Sequence, residues 1–165
     1  MAVGVLGAFL LAYSRARVFD SVIVDGRSMY PTFDDRTRVF AWQGCYQPGS
    51  LKRGEILILS DPTDGTLVVK RVVALGGETL TFAGEDIYVN GKRLNEPYLN
   101  QQEPLLQYEG SVLVPPRSVW VMGDNRNHSS DSRDYGPVPL KDVRSRPFLA
   151  FWPPREWGRG QQGAS

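Results

Sequence analysis

A mostly β protein with an antiparallel core is the fold class predicted for this 165-residue chain, from three observations. Short apolar runs recur between Gly, Pro, Asp and Asn at roughly ten-residue intervals, the spacing of strands joined by turns. Seventeen glycines and twelve prolines would interrupt any long helix. After residue 17 no segment holds a helical apolar period for three turns.

The elements follow in order. Residues 2–13, AVGVLGAFLLAY, carry no charge. As a helix they would rise about 18 Å against a hydrocarbon core of ~30 Å, short for a comfortable span. Three readings stay open: a shortened or tilted membrane anchor, a cleaved signal peptide ending near Ala12-Tyr13-Ser14, and a buried core helix. Arg15 and Arg17 follow the run, which opposes the orientation that would put the rest of the chain outside the cytoplasm. Strands are expected over 18–24, 37–41, 55–59, 67–74, 79–82, 87–89, 112–114 and 119–122. Asn90-Gly91 after Ile87-Tyr88-Val89 signals a tight hairpin, because a type I′ turn needs positive φ at both central residues. Residues 153–165, PPREWGRGQQGAS, read as a disordered tail.

Composition removes several kinds of chemistry. Nineteen Lys and Arg stand against eighteen Asp and Glu, so there is no basic field for nucleic acid. Cys45 is the single cysteine, which excludes an intramolecular disulfide and a thiolate zinc cluster. His128 is the single histidine, so a metal centre needing two imidazoles is excluded and a Ser-His-Asp triad would have to run through it. If the chain is hydrolytic, its base is expected not to be histidine.

Three constellations carry chemistry. Asp25-Gly26-Arg27-Ser28-Met29-Tyr30-Pro31-Thr32 places Ser28 in a tight connection after a strand, where a hydroxyl and nearby amides are accessible; a solvated surface turn is the bland alternative. Leu67-Val68-Val69-Lys70-Arg71-Val72-Val73-Ala74 is a strand with two cations amid valines. Alternation gives Lys70 the face of Val68 and Val72, and Arg71 that of Val69 and Val73. A buried Lys70 would lose affinity for its proton. An ordinary lysine is neutral about once in 2,500 molecules at pH 7, and a pKa near 8 needs about 3.3 kcal/mol of differential destabilisation. The alternative is an edge strand whose lysine snorkels to water. Residues 123–136, GDNRNHSSDSRDYG, pair arginines with carboxylates and have glycine only at their ends, so an ordered polar shell built on Asp124, Arg126, Asp131 and Arg133 is expected. A calcium loop is disfavoured, because the ligand spacing is wrong and arginines crowd the carboxylates.

In this order the three pieces resemble the type I signal peptidases, the serine-lysine leader peptidases. Ser28-Met29-x-Pro31 resembles the family's nucleophile box, 52–57 (KRGEIL) its R-G-D-hydrophobic box, 69–78 (VKRVVALGGE) its lysine box, and Gly123-Asp124-Asn125-Arg126 through Arg133 its last box. Tyr88-Val89-Asn90-Gly91-Lys92 with Glu96-Pro97-Tyr98 resembles the intervening segment. The likeness runs over roughly residues 15–152. It implies a single N-terminal anchor over 1–17, and a peptidase domain over 18–152 with an inserted hairpin subdomain at about 82–112.

The resemblance also implies roles. Ser28 would attack the scissile carbonyl and its N–H would hold the oxyanion; Lys70 would take the proton and Ser129 would orient Lys70. Asp124 with Arg71, and Asp131 with Arg133, would be salt bridges walling the site, and Met29 would flank the substrate. Some members carry a serine hydroxyl two residues before the nucleophile; Gly26 stands there, so the second oxyanion donor is open. The substrate would be a secreted preprotein bound extended, with small side chains at alternate positions. No cofactor or metal is expected. A monomer on the cytoplasmic membrane is expected, its catalytic part extracytoplasmic, with Met29, Tyr30, Phe40 and Trp42 resting on lipid or packed in the core. Two alternatives are a self-cleaving repressor of the LexA type, against which no helix-turn-helix precedes the core, and a catalytically silent β module binding at the membrane.

Overall fold

The computed structural model describes residues 19–44, 46–47, 49–99 and 107–156. The apolar segment 1–17 and the chain beyond 156 lie outside the described residues. Among the described residues no helix is long and apolar enough to cross a membrane.

Eleven strands follow one another: β1 (Phe19–Ile23), β2 (Arg38–Gln43), β3 (Ile56–Ser60), β4 (Leu67–Leu75), β5 (Thr79–Gly84), β6 (Asp86–Val89), β7 (Lys92–Arg93), β8 (Tyr108–Leu113), β9 (Ser118–Met122), β10 (Val138–Pro139) and β11 (Val143–Trp152). A seven-stranded antiparallel sheet has the order β1-β2-β11-β3-β4-β9-β10, and a four-stranded one the order β7-β6-β5-β8. All eight expected segments contain strand. The hairpin forms as the dipeptide requires, with Asn90 at φ 51° and Gly91 at φ 76°.

The sequence reading missed β11, which lies between β2 and β3 at the middle of the large sheet. Its buried side includes Ser145 and Pro147, while Phe148 is exposed, so the usual apolar-in pattern is reversed in places. A proline also argues against a central strand, because it cannot donate to the ladder. Register shifts between Pro147 and Leu149, and again between Ala150 and Trp152, accommodate it. The first residues of the expected tail are ordered: Pro154–Glu156 forms a 3-10 turn, and Arg155 Nη2 donates to Asp34 at 3.1 Å.

Strand alternation builds the core. On β3, Ile56 and Ile58 join Val24, Met29, Phe33, Val39 and Val69 on one face of the sheet. Leu57 and Leu59 join Val72, Val119, Val121 and Val143 on the other. A third cluster, Val73, Ala74, Leu80, Ile87, Val89 and Trp120 among its members, fastens the small sheet to β4 and β9. Each such side chain contributes about 1.5–3 kcal/mol of burial. β4 therefore touches all three clusters, and whatever it carries is held rigidly.

Candidate active site

The loop after β1 is tied down at both ends. Val24 N–H donates to the Thr37 carbonyl at 2.8 Å and the Val24 carbonyl accepts Arg36 N–H at 2.9 Å. Met29 and Phe33, at 0% and 1% exposure, plug this loop into the core, and Phe33 N–H donates to the Met29 carbonyl. Ser28 is half-buried beside them. It is not the solvated surface turn of the bland alternative. A fully buried Met29 does not face lipid; it anchors the turn from beneath, and its expected contact with substrate has no exposed surface to form on. Gly26 N–H, at the position left open for a second oxyanion donor, is taken by Asp35 Oδ1 at 2.8 Å.

Both cations of β4 are buried, Lys70 at 4% and Arg71 at 1% exposure. β4 lies between β3 and β9, so the edge-strand alternative for Lys70 does not hold. Burial is the largest influence on Lys70 and pushes its ammonium below the ordinary lysine value; Asp131, Asp61 and Asp124 pull the other way, and Arg133 adds to the lowering. The carboxylate that most favours the charged lysine, Asp131, is already engaged. Its oxygens take the Arg133 side chain at 2.8 Å, the Arg133 N–H and the Gly123 N–H at 2.9 Å. Burial raises the Asp131 carboxyl, but these partners outweigh it and hold it below the ordinary carboxylate range.

The polar loop is ordered, as its composition suggests. Asp131 caps the single helical turn α1 (Ser132–Tyr135), with Asp134 closing a capping box, and Ser132 Oγ accepts the Val121 N–H at 3.0 Å. Arg71 forks onto Asp124, Nε–Oδ1 2.8 Å and Nη2–Oδ2 2.6 Å, in a pair almost fully removed from water. Thr32 Oγ1 from the Ser28 loop donates to the same carboxylate, and Arg71 Nη1 reaches the Gly54 carbonyl at 2.7 Å. Both expected salt bridges are thus present. Arg126, however, leaves the loop and pairs with Glu96.

Gly123 is where these pieces meet. A Cβ there would collide with Ser129 Oγ and with the Ser28 carbonyl oxygen, so only hydrogen fits between them. Asn125 N–H donates to the Ser28 carbonyl at 2.9 Å, and its Nδ2 to the Arg27 carbonyl at 3.1 Å. On the sheet, Arg71 pairs with Met122. Continuing that register by one residue sets Lys70 across from Gly123. Ser28 and Ser129 thus flank Gly123 and Lys70 takes the strand position opposite it, while Ser129 Oγ donates to the Ser130 carbonyl at 3.5 Å and His128 is exposed. Among the described residues no group of three or more His, Cys, Asp or Glu is arranged to hold a metal.

Sequence reasoning passed over three residues of this network. Thr32 had no signal apart from its place in the serine loop. Glu96 and Tyr98 lie in a segment marked only by family likeness, and nothing local shows that Glu96 reaches Arg126 of the polar loop or that Tyr98 lies against Arg71.

A buried lysine on an antiparallel β frame, set opposite a glycine that two serines flank, has the parts of a serine peptidase. Comparison with known proteins gives the particular family. Signal peptidase, peptidase S26, matches residues 1–152, and the chain belongs to it. Signal peptidase I of Bacillus licheniformis is 34% identical over 158 residues, covering 90% of this chain and 85% of that one. Signal peptidase I T of Bacillus subtilis (strain 168) is 37% identical over 138 residues, covering 79% and 72%. The crystal structure of a signal peptidase I from Enterococcus faecalis V583 superposes with a TM-score of 0.53 at 28% identity, covering 61% of this chain and 98% of that one.

Proposed function

We propose that Ser28 is the nucleophile and Lys70 the general base with which this serine endopeptidase removes signal peptides from secreted preproteins. The observation that carries the assignment is the burial of Lys70 inside a central strand, at the register position opposite the glycine that Ser28 and Ser129 enclose. A serine hydroxyl is a weak nucleophile without an adjacent base, and a desolvated amine is tunable to neutrality where an arginine is not.

In the acylation step Ser28 Oγ bonds to the scissile carbonyl carbon and its proton passes to Lys70 Nζ. The tetrahedral oxyanion is held by the Ser28 N–H; removing one such donor costs about 10²–10³ in rate elsewhere. Collapse breaks the peptide bond, and the leaving amine takes the proton from the Lys70 ammonium. Water then attacks the acyl ester as Lys70 takes its proton; the C–Oγ bond breaks, Ser28 Oγ takes that proton back from the Lys70 ammonium, and the leader departs as a carboxylate with its own proton released to solvent. Ser129 Oγ steadies Nζ through both halves. Arg71–Asp124 and Arg133–Asp131 hold the walls.

The leader binds extended against β1, which is an edge strand of the large sheet. Alternate residues of an extended chain face the same side, which suits small side chains at two alternating positions. The enzyme acts as a monomer at the cytoplasmic membrane, anchored through its first residues with the catalytic part extracytoplasmic, and needs no cofactor.

The test is cleavage of a purified preprotein in detergent. Ser28→Ala and Lys70→Ala are each expected to lower kcat by about 10⁴-fold or more while the far-UV spectrum and melting cooperativity persist. His128→Ala is expected to stay within about twofold of the parent, as a surface change usually does. A Lys70→Ala protein with near-parental kcat sinks the assignment of the base.

A further inference from the structure

Glu96 follows β7 in the small sheet, where Leu94 N–H holds the segment to β6 through the Ile87 carbonyl at 2.7 Å. Its carboxylate forks onto Arg126 of the polar loop, Oε2 accepting Nη1 at 2.9 Å and Oε1 accepting Nη2, with side-chain exposures of 9% and 4%. Tyr98, two residues on, donates its hydroxyl to Glu96 Oε1 at 2.6 Å and lays its ring against Arg71, 3.8 Å from the guanidinium carbon to the ring centroid. One short segment of the small sheet therefore grips both arginines that stand behind the candidate site.

What those arginines hold is specific. Arg126 Nε donates to the Gly123 carbonyl at 3.1 Å, and the Arg126 carbonyl accepts Arg133 Nη2 at 2.7 Å. Arg133 Nη2 also reaches the Ser129 carbonyl at 3.3 Å and forks onto Asp131, which binds the Gly123 N–H. Arg71 carries Asp124 and through it Thr32 of the Ser28 loop. Burial works against the charge on Arg126, and Glu96 restores it. Two of these hydrogen-bond paths end at Gly123, and a third at the loop that bears Ser28.

We propose that Glu96 and Tyr98 are positioning residues of the peptidase reaction: the small sheet reaches across with them to fix Gly123, Ser129 and the Ser28 loop in register with Lys70. The inference rests on the reading of Ser28 and Lys70 as nucleophile and base. A misplacement of about 1 Å at such a distance from the chemistry costs about 10²-fold. Ground-state affinity for an extended leader depends on the β1 edge, which this clamp does not touch.

The experiment uses the full chain in detergent with a purified preprotein, comparing Glu96→Gln and Tyr98→Phe with Ser28→Ala and Lys70→Ala. Glu96→Gln keeps the shape and an acceptor oxygen but loses the charge that Arg126 requires. It is expected to lower kcat by about 10- to 100-fold with KM changed less than threefold. It should also move the rising limb of the pH–rate profile upward, because a loosened loop admits water to Lys70. The charged neighbours that set that limb, Asp131, Asp61, Asp124 and Arg133, are all retained in the variant. Tyr98→Phe leaves the ring on Arg71 and should give a smaller loss in the same direction. If Glu96→Gln proves too unstable to assay, Tyr98→Phe decides on the same readouts. Variants that melt earlier yet keep parental kcat and the parental limb, assayed well below their melting points, make the contact structural only and overturn the proposal. Ser28→Ala or Lys70→Ala proteins that still cleave overturn the underlying reading instead.

Discussion

Lys70, as the proposed base, would set function against stability within one side chain. Its surroundings lower its pKa in the folded protein, burial first, so between the folded value and the ordinary value of 10.5 the unfolded chain binds more protons. Stability due to this group therefore rises with pH through that window, and below the folded value the protein carries the full cost of a buried ammonium. Lys70→Met is expected to abolish cleavage and stabilise the fold by about 0.5–2 kcal/mol, the usual size when a functional residue is relieved. The gain should be largest on the acid side of the folded pKa and fade towards pH 10.5. Melting both proteins across that range checks the sign; a gain that grows with pH contradicts a dry lysine. Asp131 shares that sign in a more acidic window, but as a gain rather than a cost. Its depressed pKa supplies stability present above the ordinary carboxylate value and lost only as pH falls through the folded one.

Two turns separate what a glycine does for an element from what it does for a site. Gly91 sits at φ 76° in the β6–β7 hairpin with nothing within 4 Å of a built Cβ, so Gly91→Ala meets backbone strain alone, on the order of 1–2 kcal/mol. Gly123 stands between the Ser28 carbonyl and Ser129 Oγ, where an added methyl must push them apart. Gly123→Ala should cost about 1–3 kcal/mol as an overpacked site, and about 10²-fold in kcat besides. Comparable melting losses with only Gly123→Ala losing rate are expected from thermal scans and preprotein cleavage; rates that fall together in both variants would make Gly123 an ordinary turn residue. The Asn90-Gly91 hairpin, the valine-rich β4 and the ordered polar loop were legible because each is fixed by neighbours in sequence. β11 was not, because Ser145 and Pro147 occupy its inner face and its strand pairing is decided by β2 and β3, some hundred residues earlier. Within the site, the spacing of the polar loop showed only that arginines and carboxylates alternate there, and Asp131 with Arg133 was singled out through family likeness. Arg71 with Asp124 came only through family likeness, and Arg126 with Glu96 not at all, since a contact across thirty residues leaves no periodic trace.

Across the whole molecule, the outward face of β1, β2 and β11 is aromatic where a soluble surface would be polar. Phe40 stacks on Phe151 with centroids 4.3 Å apart, and Trp42 lies 5.0 Å from Phe148. Ile23, Trp42, Phe148 and Trp152 are 38–52% exposed. These residues follow from alternation: Arg38, Phe40 and Trp42 share one side of β2, and Trp152 and Ile23 both pair with Arg38. The net charge of +1 offers little long-range attraction to an anionic surface, so any attachment of this face must be apolar. Such a contiguous patch suits a membrane surface, and Ile23 places it close in sequence to the Ser28 turn. In a form lacking residues 1–17, the triple change Trp42→Ser, Phe148→Ser and Trp152→Ser is expected to lower partitioning onto phosphatidylglycerol/phosphatidylethanolamine vesicles at least tenfold. Burial of a single aromatic side chain already supplies about the 1.4 kcal/mol which that factor requires. Three exposed substitutions should leave the melting temperature close to the parent's, so a fall in co-sedimentation reports contact rather than unfolding. Undiminished partitioning of the triple variant would mean that this face looks elsewhere.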